Sequence, residues 1–194
     1  TLLEQMKGMY IDDRRRADLD RIPPTIGMNV GKMDILSTTV TFQDLGGHMR
    51  NIWGQYYQEA SGVIVVVDAA DGRRLPEAVA AVQGILSSPH LAGVPVLILA
   101  NKNDKVGALG ARELAGLLSL HSPSGGGGVS AAATAAAGTS KPDAGTLLDA
   151  SSADRQLVVA STSTLAGEGI AAALATFIPH VRSLAASGKR EVTH

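Results

Sequence analysis

Residues 94–107 read VPVLILANKNDKVG. Val94–Leu99 is a short, continuous apolar run rich in branched side chains, which suits a strand buried on both faces of a parallel sheet. It runs straight into Asn101-Lys102-Asn103-Asp104, four strongly polar residues. Ligands of open α/β sheets bind beyond the carboxyl ends of the strands, so this junction is a candidate site.

Working outward, Val63–Val67 (VIVVV) is a second run of the same kind, and Gln156–Ala160 a third. Between the first two, LPEAVAAVQGILSS (Leu75–Ser88) puts Leu75, Val79, Val82 and Leu86 on one stripe, which predicts a crossover helix. In Gly169–Leu184, the residues Ile170, Leu174, Phe177, Ile178 and Val181 again share a face. Alternating strands and helices predict an α/β, doubly wound, mostly parallel sheet. Upstream, Val30–Leu36 and Thr39–Leu45 predict a hairpin feeding that sheet, with Ser37-Thr38 at its turn. Residues 122–155 are Gly, Ala and Ser with hardly any bulky apolar side chain. Such a segment buries too little surface to offset its ordering entropy, which predicts a disordered insertion within a single domain over residues 1–187. Residues 188–194 are expected to form a flexible tail.

The 194 residues are 45% hydrophobic, enough for one domain with a core. A formal net charge of −1 gives no field that argues for nucleic acid or anionic lipid as a bulk partner. The absence of cysteine excludes disulfides, thiolate metal sites and a cysteine nucleophile. No apolar run reaches roughly 18 residues, and the N-terminus carries no signal-peptide pattern. The histidines at positions 48, 90, 121, 180 and 194 show no metal-ligand spacing. Asp12-Asp13 beside Arg14–Arg16 reads as a solvated, internally paired loop. Asp68 and Asp71 end a strand; the family resemblance described below implies that their segment packs and caps the next helix rather than forming a catalytic pair.

An Asp at position 104 can accept two parallel hydrogen bonds. Guanine offers two adjacent donors, its ring N–H and exocyclic amine, whereas adenine offers no such pair, so this carboxylate selects guanine. The methylene stem of Lys102 can lie over a purine face while its ammonium stays wet, and an Asn can tie neighbouring loops together. TFQDLGGH (Thr41–His48) places Asp44 at another strand end and Gly47 three residues on. D-x-x-G suits a phosphate-bound Mg²⁺: the Asp holds a metal-bound water, and the glycine brings its N–H onto a terminal phosphate. Thr25, in the proline-stiffened loop Arg21–Gly27, offers a hydroxyl to the same ion. Ala160–Thr164 (ASTST) follows the last strand, where backbone N–H groups can reach a base carbonyl.

In that order these motifs resemble the small GTPases. PPTIGMNV, VTFQDLGGH, NIWGQYY, GVIVVVDAADGRRL and GVPVLILANKND are similar to the ADP-ribosylation factor (Arf) family, and most to its Golgi-associated Arf-related branch, over residues 1–121 and 156–187. The resemblance implies that Thr25 binds Mg²⁺ in switch I and that Asp44 acts through water in switch II. It makes Gly47 the γ-phosphate sensor, has Asn101, Lys102 and Asp104 read guanine, and has Ser163 and Thr164 close over the base. Met28, Gln43, Trp53 and Tyr56 fall on the family's effector surface. GTP and GDP are the implied ligands, and an exchange factor, a GTPase-activating protein and effectors the implied partners. Recruitment to Golgi and trans-Golgi membranes is implied through an N-terminus upstream of Thr1, with no role for nucleic acid.

The sequence also departs from the family. It has no G-x-x-x-x-G-K-[ST], the loop that cradles β- and γ-phosphates. TLLEQMK resembles the start of the helix following that loop, so the chain reads as N-terminally truncated. The expected fold is therefore a small-GTPase sheet missing its first strand, with open edges on Thr39–Leu45 and Gly62–Asp68. His48 stands where a glutamine usually orients the attacking water; an imidazole can also hold water, and serves as the candidate catalytic group. Met28 and Gln43 stand at aromatic positions, and Thr164 where alanine is commoner, adding bulk beside the base. The competing expectation is a non-catalytic fragment or pseudo-GTPase that binds partners. A phosphoacceptor receiver domain needs an acidic pair directly after its first strand, and Asp12-Asp13 follow a predicted helix instead.

Overall fold

The computed structural model describes residues 2–11, 22–23, 25, 27–120, 145–151 and 155–187. Their strands β3 (Val63–Asp68), β4 (Val96–Asn101), β5 (Leu147–Asp149) and β6 (Leu157–Ser161) form one sheet in the order β3-β4-β6-β5. β3, β4 and β6 run parallel, and β5 is antiparallel to β6. A hairpin of β1 (Met28–Ile35) and β2 (Thr38–Leu45) forms a separate two-stranded sheet. The helices are α1 (Leu2–Tyr10), α2 (Leu75–Leu86), α3 (Ala111–Leu117) and α4 (Ile170–Ala186), and a 3-10 segment spans Gly47–Tyr56.

The period of two along the central strands sorts the core into two layers. Val96 and Ile98 of β4, with Val65, Val67 and Val159, meet α2 and α3 through Val82, Ile85, Ala111 and Leu114. Leu97 and Leu99, with Val158 and Ala160, meet α1 and α4 on the other face through Leu3, Met6, Leu174 and Phe177. Met33 and Ile35 of the hairpin join this second layer. The α/β, doubly wound architecture expected from the sequence is thus present. Of the stripe expected on α2, Leu75 and Val82 are buried, and Val79 and Leu86 pack partly against the same layer.

The open edges expected on Thr39–Leu45 and Gly62–Asp68 are present: β2 and β3 each end a sheet, and the hairpin does not hydrogen-bond to the larger one. Two expectations are corrected. β3 is not buried on both faces, Val66 being 45% exposed. The turn falls at Leu36-Ser37, one residue early. Both residues have positive φ (50° and 58°), the conformation that matches a two-residue turn to the twist of its strands.

The segment 122–155, expected to lack regular structure, lies outside the described residues except for 145–151 and Arg155. There β5 forms, because Leu147 and Leu148 supply apolar side chains for both core layers and cover the edge of β6. Arg155 pins the far end of this segment, donating to Leu86 O at 2.6 Å and Leu91 O at 3.1 Å. Carbonyls at a helix C-terminus attract a cation, and partial burial lowers the Arg155 pKa from its ordinary value. The charged loop 12–16 and the tail 188–194 also lie outside the described residues.

Candidate functional site

At the carboxyl end of β4 the chain turns sharply through Lys102, whose φ is +64°. Asn103 then turns inward and is 1% exposed. Its backbone N–H donates to Thr162 O (3.1 Å) and its Nδ2 to Leu109 O (3.1 Å), stapling the loop to the end of β6 and the approach to α3. The Asn103 Oδ1 is buried with no hydrogen-bond partner among the described residues.

Asn101, Asp104, Ser163 and Thr164 come together at this edge, 59 to 63 residues apart in sequence. The Asn101 Oδ1 accepts from the Thr164 backbone N–H (2.9 Å), the Thr164 hydroxyl (2.7 Å) and the Thr162 hydroxyl (3.5 Å). An Asn does tie the two loops together, as its type suggested. The Asp104 Oδ1 accepts from Ser163 Oγ at 2.5 Å, while the residue stays exposed. Each carboxylate oxygen has two lone pairs, so both oxygens of Asp104 retain capacity for paired donors. Lys102 Nζ meets Asp68 Oδ2 at 2.5 Å, a pair with no local signal in the sequence. Asp68 therefore orients the lysine from the end of β3, and its Oδ1 accepts from Ala70 N (3.2 Å). Asp71 Oδ1 accepts from Arg74 N (3.3 Å) in the turn ahead of α2, but Arg74 is itself the N-cap and α2 has no side-chain cap bond, so neither aspartate caps the helix.

Thr25 and Asp44 also come together, with the Thr25 hydroxyl donating to Asp44 Oδ2 at 3.0 Å. Gly46 makes that approach possible. Its N–H donates to Gly27 O (3.2 Å), and a Cβ there would stand 2.3 Å from the Thr25 carbonyl oxygen. Gly47 is exposed, and a Cβ on it would meet nothing within 4 Å. A groove of about 810 Å³ is lined by Thr25, Asp44, Gly47 and His48 on one side and by Glu77 of α2 on the other, with Val66 among its walls. His48 is exposed.

A hydroxyl and a carboxylate are the hard oxygen donors that Mg²⁺ takes. Among the described residues no cluster of three or more His, Cys, Asp or Glu could hold a metal. These two donors therefore suit an ion that keeps its waters and is carried on a ligand's phosphates, the usual habit of Mg²⁺.

The expected effector residues are placed unevenly. Met28 and Gln43 are exposed on one face of the hairpin, where Val30 opposite Gln43 is exposed as well. Trp53 is half-buried, packs on the core beneath α2 and donates its indole N–H to Gly46 O at 3.3 Å. Tyr56 is partly buried on the same 3-10 segment. Arg50 fastens that segment to α2 through Glu77 at 2.6 Å.

Hydrogen bonding and charge from Arg50 lower the Glu77 pKa from its ordinary 4.5. A carboxyl whose folded pKa is depressed contributes stability above its unfolded pKa and loses it as pH falls through the folded value. The latch is therefore expected to hold at neutral pH and to release as pH falls through the lowered carboxyl pKa. Trp53, the single tryptophan, reports it: its fluorescence should change on acidification in the native chain and be displaced already at pH 7 in Glu77→Gln.

The fold and these two clusters at the strand ends are those of a small GTPase. Residues 7–181 match the ADP-ribosylation factor family, and the chain belongs to that family. ADP-ribosylation factor-related protein 1 of Homo sapiens is 41% identical over 106 residues, covering 54% of this chain and 53% of the human protein. ADP-ribosylation factor-like protein 3 of Saccharomyces cerevisiae is 36% identical over 108 residues, covering 54% of each chain. The chain spans about half the length of the curated relatives it matches. Among solved structures, the Arl6 BBS3 small GTPase of Trypanosoma brucei, with the nucleotide analogue GppNp bound, is similar over 93% of this chain and 92% of its own, with a TM-score of 0.63 and 25% identity.

Proposed function

We propose that this chain belongs to a GTP-binding switch of the Arf-related type, which hydrolyses GTP to GDP and recruits partners at Golgi membranes. One observation carries the reading: Asp104, held by Ser163, stands beside an Asn101 tied down by Thr162 and Thr164, at the end of the sheet where a base would lie. The Asp104 carboxylate receives the two donors of guanine, and the stem of Lys102 supports the purine face, its ammonium kept in place by Asp68. Thr25 and Asp44 would hold Mg²⁺, which would supply charge neutralisation for phosphoryl transfer. Gly47 brings a backbone N–H to the γ-phosphate, and His48 orients the attacking water. Loss of the γ-phosphate frees the Thr25 and Gly47 segments, and partners on the Met28–Gln43 face and the Trp53–Tyr56 segment sense the difference. The Golgi assignment follows the Arf-related likeness.

A non-catalytic interaction module is the second reading, favoured by the absence of G-x-x-x-x-G-K-[ST] from these 194 residues and of lysine among the described residues that line the groove. Titration with a fluorescent GDP separates the two, using this chain and one extended upstream by about twenty residues carrying a phosphate loop. Binding is expected in the extended chain alone, displaced by GTP and not by ATP. Equal binding by both chains would remove the phosphate-site argument, and displacement by ATP would remove the guanine argument.

A further inference from the structure

The groove that carries Thr25, Asp44 and Gly47 also holds two permanent cations among its described lining residues, Arg50 and Arg74. The nucleotide reading above uses neither. Arg50 stands three residues after Gly47 on the 3-10 segment Gly47–Tyr56. Three residues make one turn of such a helix, so position i+3 returns over position i. Met49 departs from helical geometry (φ −99°, ψ 24°), yet Arg50 and Trp53 still line the groove together with Gly47.

Glu77 of α2 holds this arginine from across the groove. Its Oε1 accepts from Arg50 Nη1 at 2.6 Å, and its Oε2 lies 3.7 Å from Arg74 Nε. A guanidinium carries several N–H donors in one planar fork. Glu77 engages one of them, and the Arg50 guanidinium makes no other hydrogen bond among the described residues. The two side chains are 36% and 55% exposed, and an ion pair in such a place contributes little to stability. What it supplies is position, a fork with donors to spare inside the groove. The rest of the groove says which anion fits. Thr25 and Asp44 offer hard oxygens to a cation, while the Gly47 N–H and the guanidinium offer donors to an anion. A terminal phosphate that carries its own divalent cation meets both sets at once.

We infer that Arg50 acts in cis on the terminal phosphate of GTP: Glu77 keeps one of its N–H groups, and the rest of the fork binds the phosphate oxygens and stabilises the charge they gain in transfer. The inference rests on the GTP reading given above. It makes Glu77 the positioning residue for Arg50. The step needs no further reactant. The water oxygen bonds to phosphorus, and the bond to the GDP oxygen breaks and leaves with its electron pair. One water proton stays on the phosphate and the other passes to solvent, while Arg50 neither gains nor loses one.

The test uses the upstream-extended chain in its native sequence and as Arg50→Ala, Arg50→Lys, Glu77→Gln and Arg73→Ala. Arg73→Ala removes the same charge from outside the groove, in a hollow that Arg73 shares with Asp71 and Lys105. Affinities for GDP and for the GTP analogue GppNp come first. Arg50→Ala is expected to weaken GppNp about tenfold and to leave GDP within about twofold, since GDP lacks the phosphate concerned. Unchanged GDP binding also shows that the variant is folded. Single-turnover GTP hydrolysis in Mg²⁺ comes second. Arg50→Ala should slow it about 10- to 100-fold, and Arg50→Lys by less, since lysine keeps the charge and loses the fork. Glu77→Gln should cost about threefold at most, because the phosphate itself then holds Arg50. Arg73→Ala should match the native chain. Equal slowing in Glu77→Gln and Arg50→Ala would reduce Arg50 to a latch and overturn the inference. An Arg50→Ala chain that binds GppNp as tightly as the native one, or that weakens GDP and GppNp alike, would overturn it too. If the native extended chain binds no guanine nucleotide, the GTP reading falls and takes this inference with it. If that chain binds GDP, the reading stands and the variants decide the role of Arg50 alone.

Discussion

In the upstream-extended chain, Asp104→Asn is expected to lower affinity for GDP by about 10²- to 10⁴-fold, the loss of two charge-assisted hydrogen bonds of about 1.5–3 kcal/mol each. The carboxylate accepts from both guanine donors, and an amide can accept from only one of them. Its NH₂ would face the guanine amine, donor against donor. A base with a carbonyl at that ring position matches the new amide, so xanthosine diphosphate should bind Asp104→Asn better than GDP does. Because Ser163 Oγ holds the side chain from behind, the substitution should leave the loop in place. Competition titration of GDP, XDP and ADP against the variant checks this. Unchanged GDP affinity would mean that Asp104 does not face the base.

Gly46→Ala is expected to uncouple Thr25 from Asp44. The new methyl would stand 2.3 Å from the Thr25 carbonyl oxygen and 3.3 Å from its carbon. These are backbone atoms, which cannot swing aside as a flexible side chain does. Gly46 is also held by its own N–H bond to Gly27 O and by Trp53 on its carbonyl. Relief must come from the Thr25 segment moving away, which breaks the 3.0 Å contact with Asp44. Overpacking of this kind costs about 1–3 kcal/mol, so the Mg²⁺-dependent part of GTP affinity should fall about 10- to 100-fold. Gly84→Ala on α2 is the matched control, since its methyl would meet nothing within 4 Å and the residue lies outside both clusters. Titrations of the upstream-extended chain with and without Mg²⁺ should show a loss of metal dependence in Gly46→Ala. An unchanged metal dependence there would separate Thr25 and Asp44 into unrelated features.

The central strands were legible because continuous branched apolar runs of five or six residues have few other uses. Helix α2 was legible from its stripe, and the guanine-reading residues from the polar run that ends β4. What the sequence hid was small or non-local. Helix α3 buries Ala111, Leu114 and Ala115, a face half made of methyl groups, and it drew no helix assignment. Strand β5 is three residues long inside a Gly/Ala/Ser-rich segment, and only its pairing with β6 defines it. Thr164 read as added bulk beside a base, whereas the fold buries it and makes its hydroxyl a donor to Asn101. That contact exists because β4 and β6 are neighbours, a fact of topology and not of local sequence. The Lys102–Asp68 pair is hidden for the same reason, bridging the ends of β3 and β4.

The β1–β2 ribbon rests on the body of the molecule through side chains of α1. Leu3 and Met6 share a core layer with Met33 and Ile35, and Leu3 lies so close over Gly31 that a methyl there would stand 2.8 Å from its Cδ1. Dispersion contacts have no fixed partner and no direction, unlike a ladder of N–H···O bonds. Among the described residues no rung joins the ribbon to the larger sheet, so it can be peeled away by separating apolar side chains alone, those of the nine-residue α1 among them.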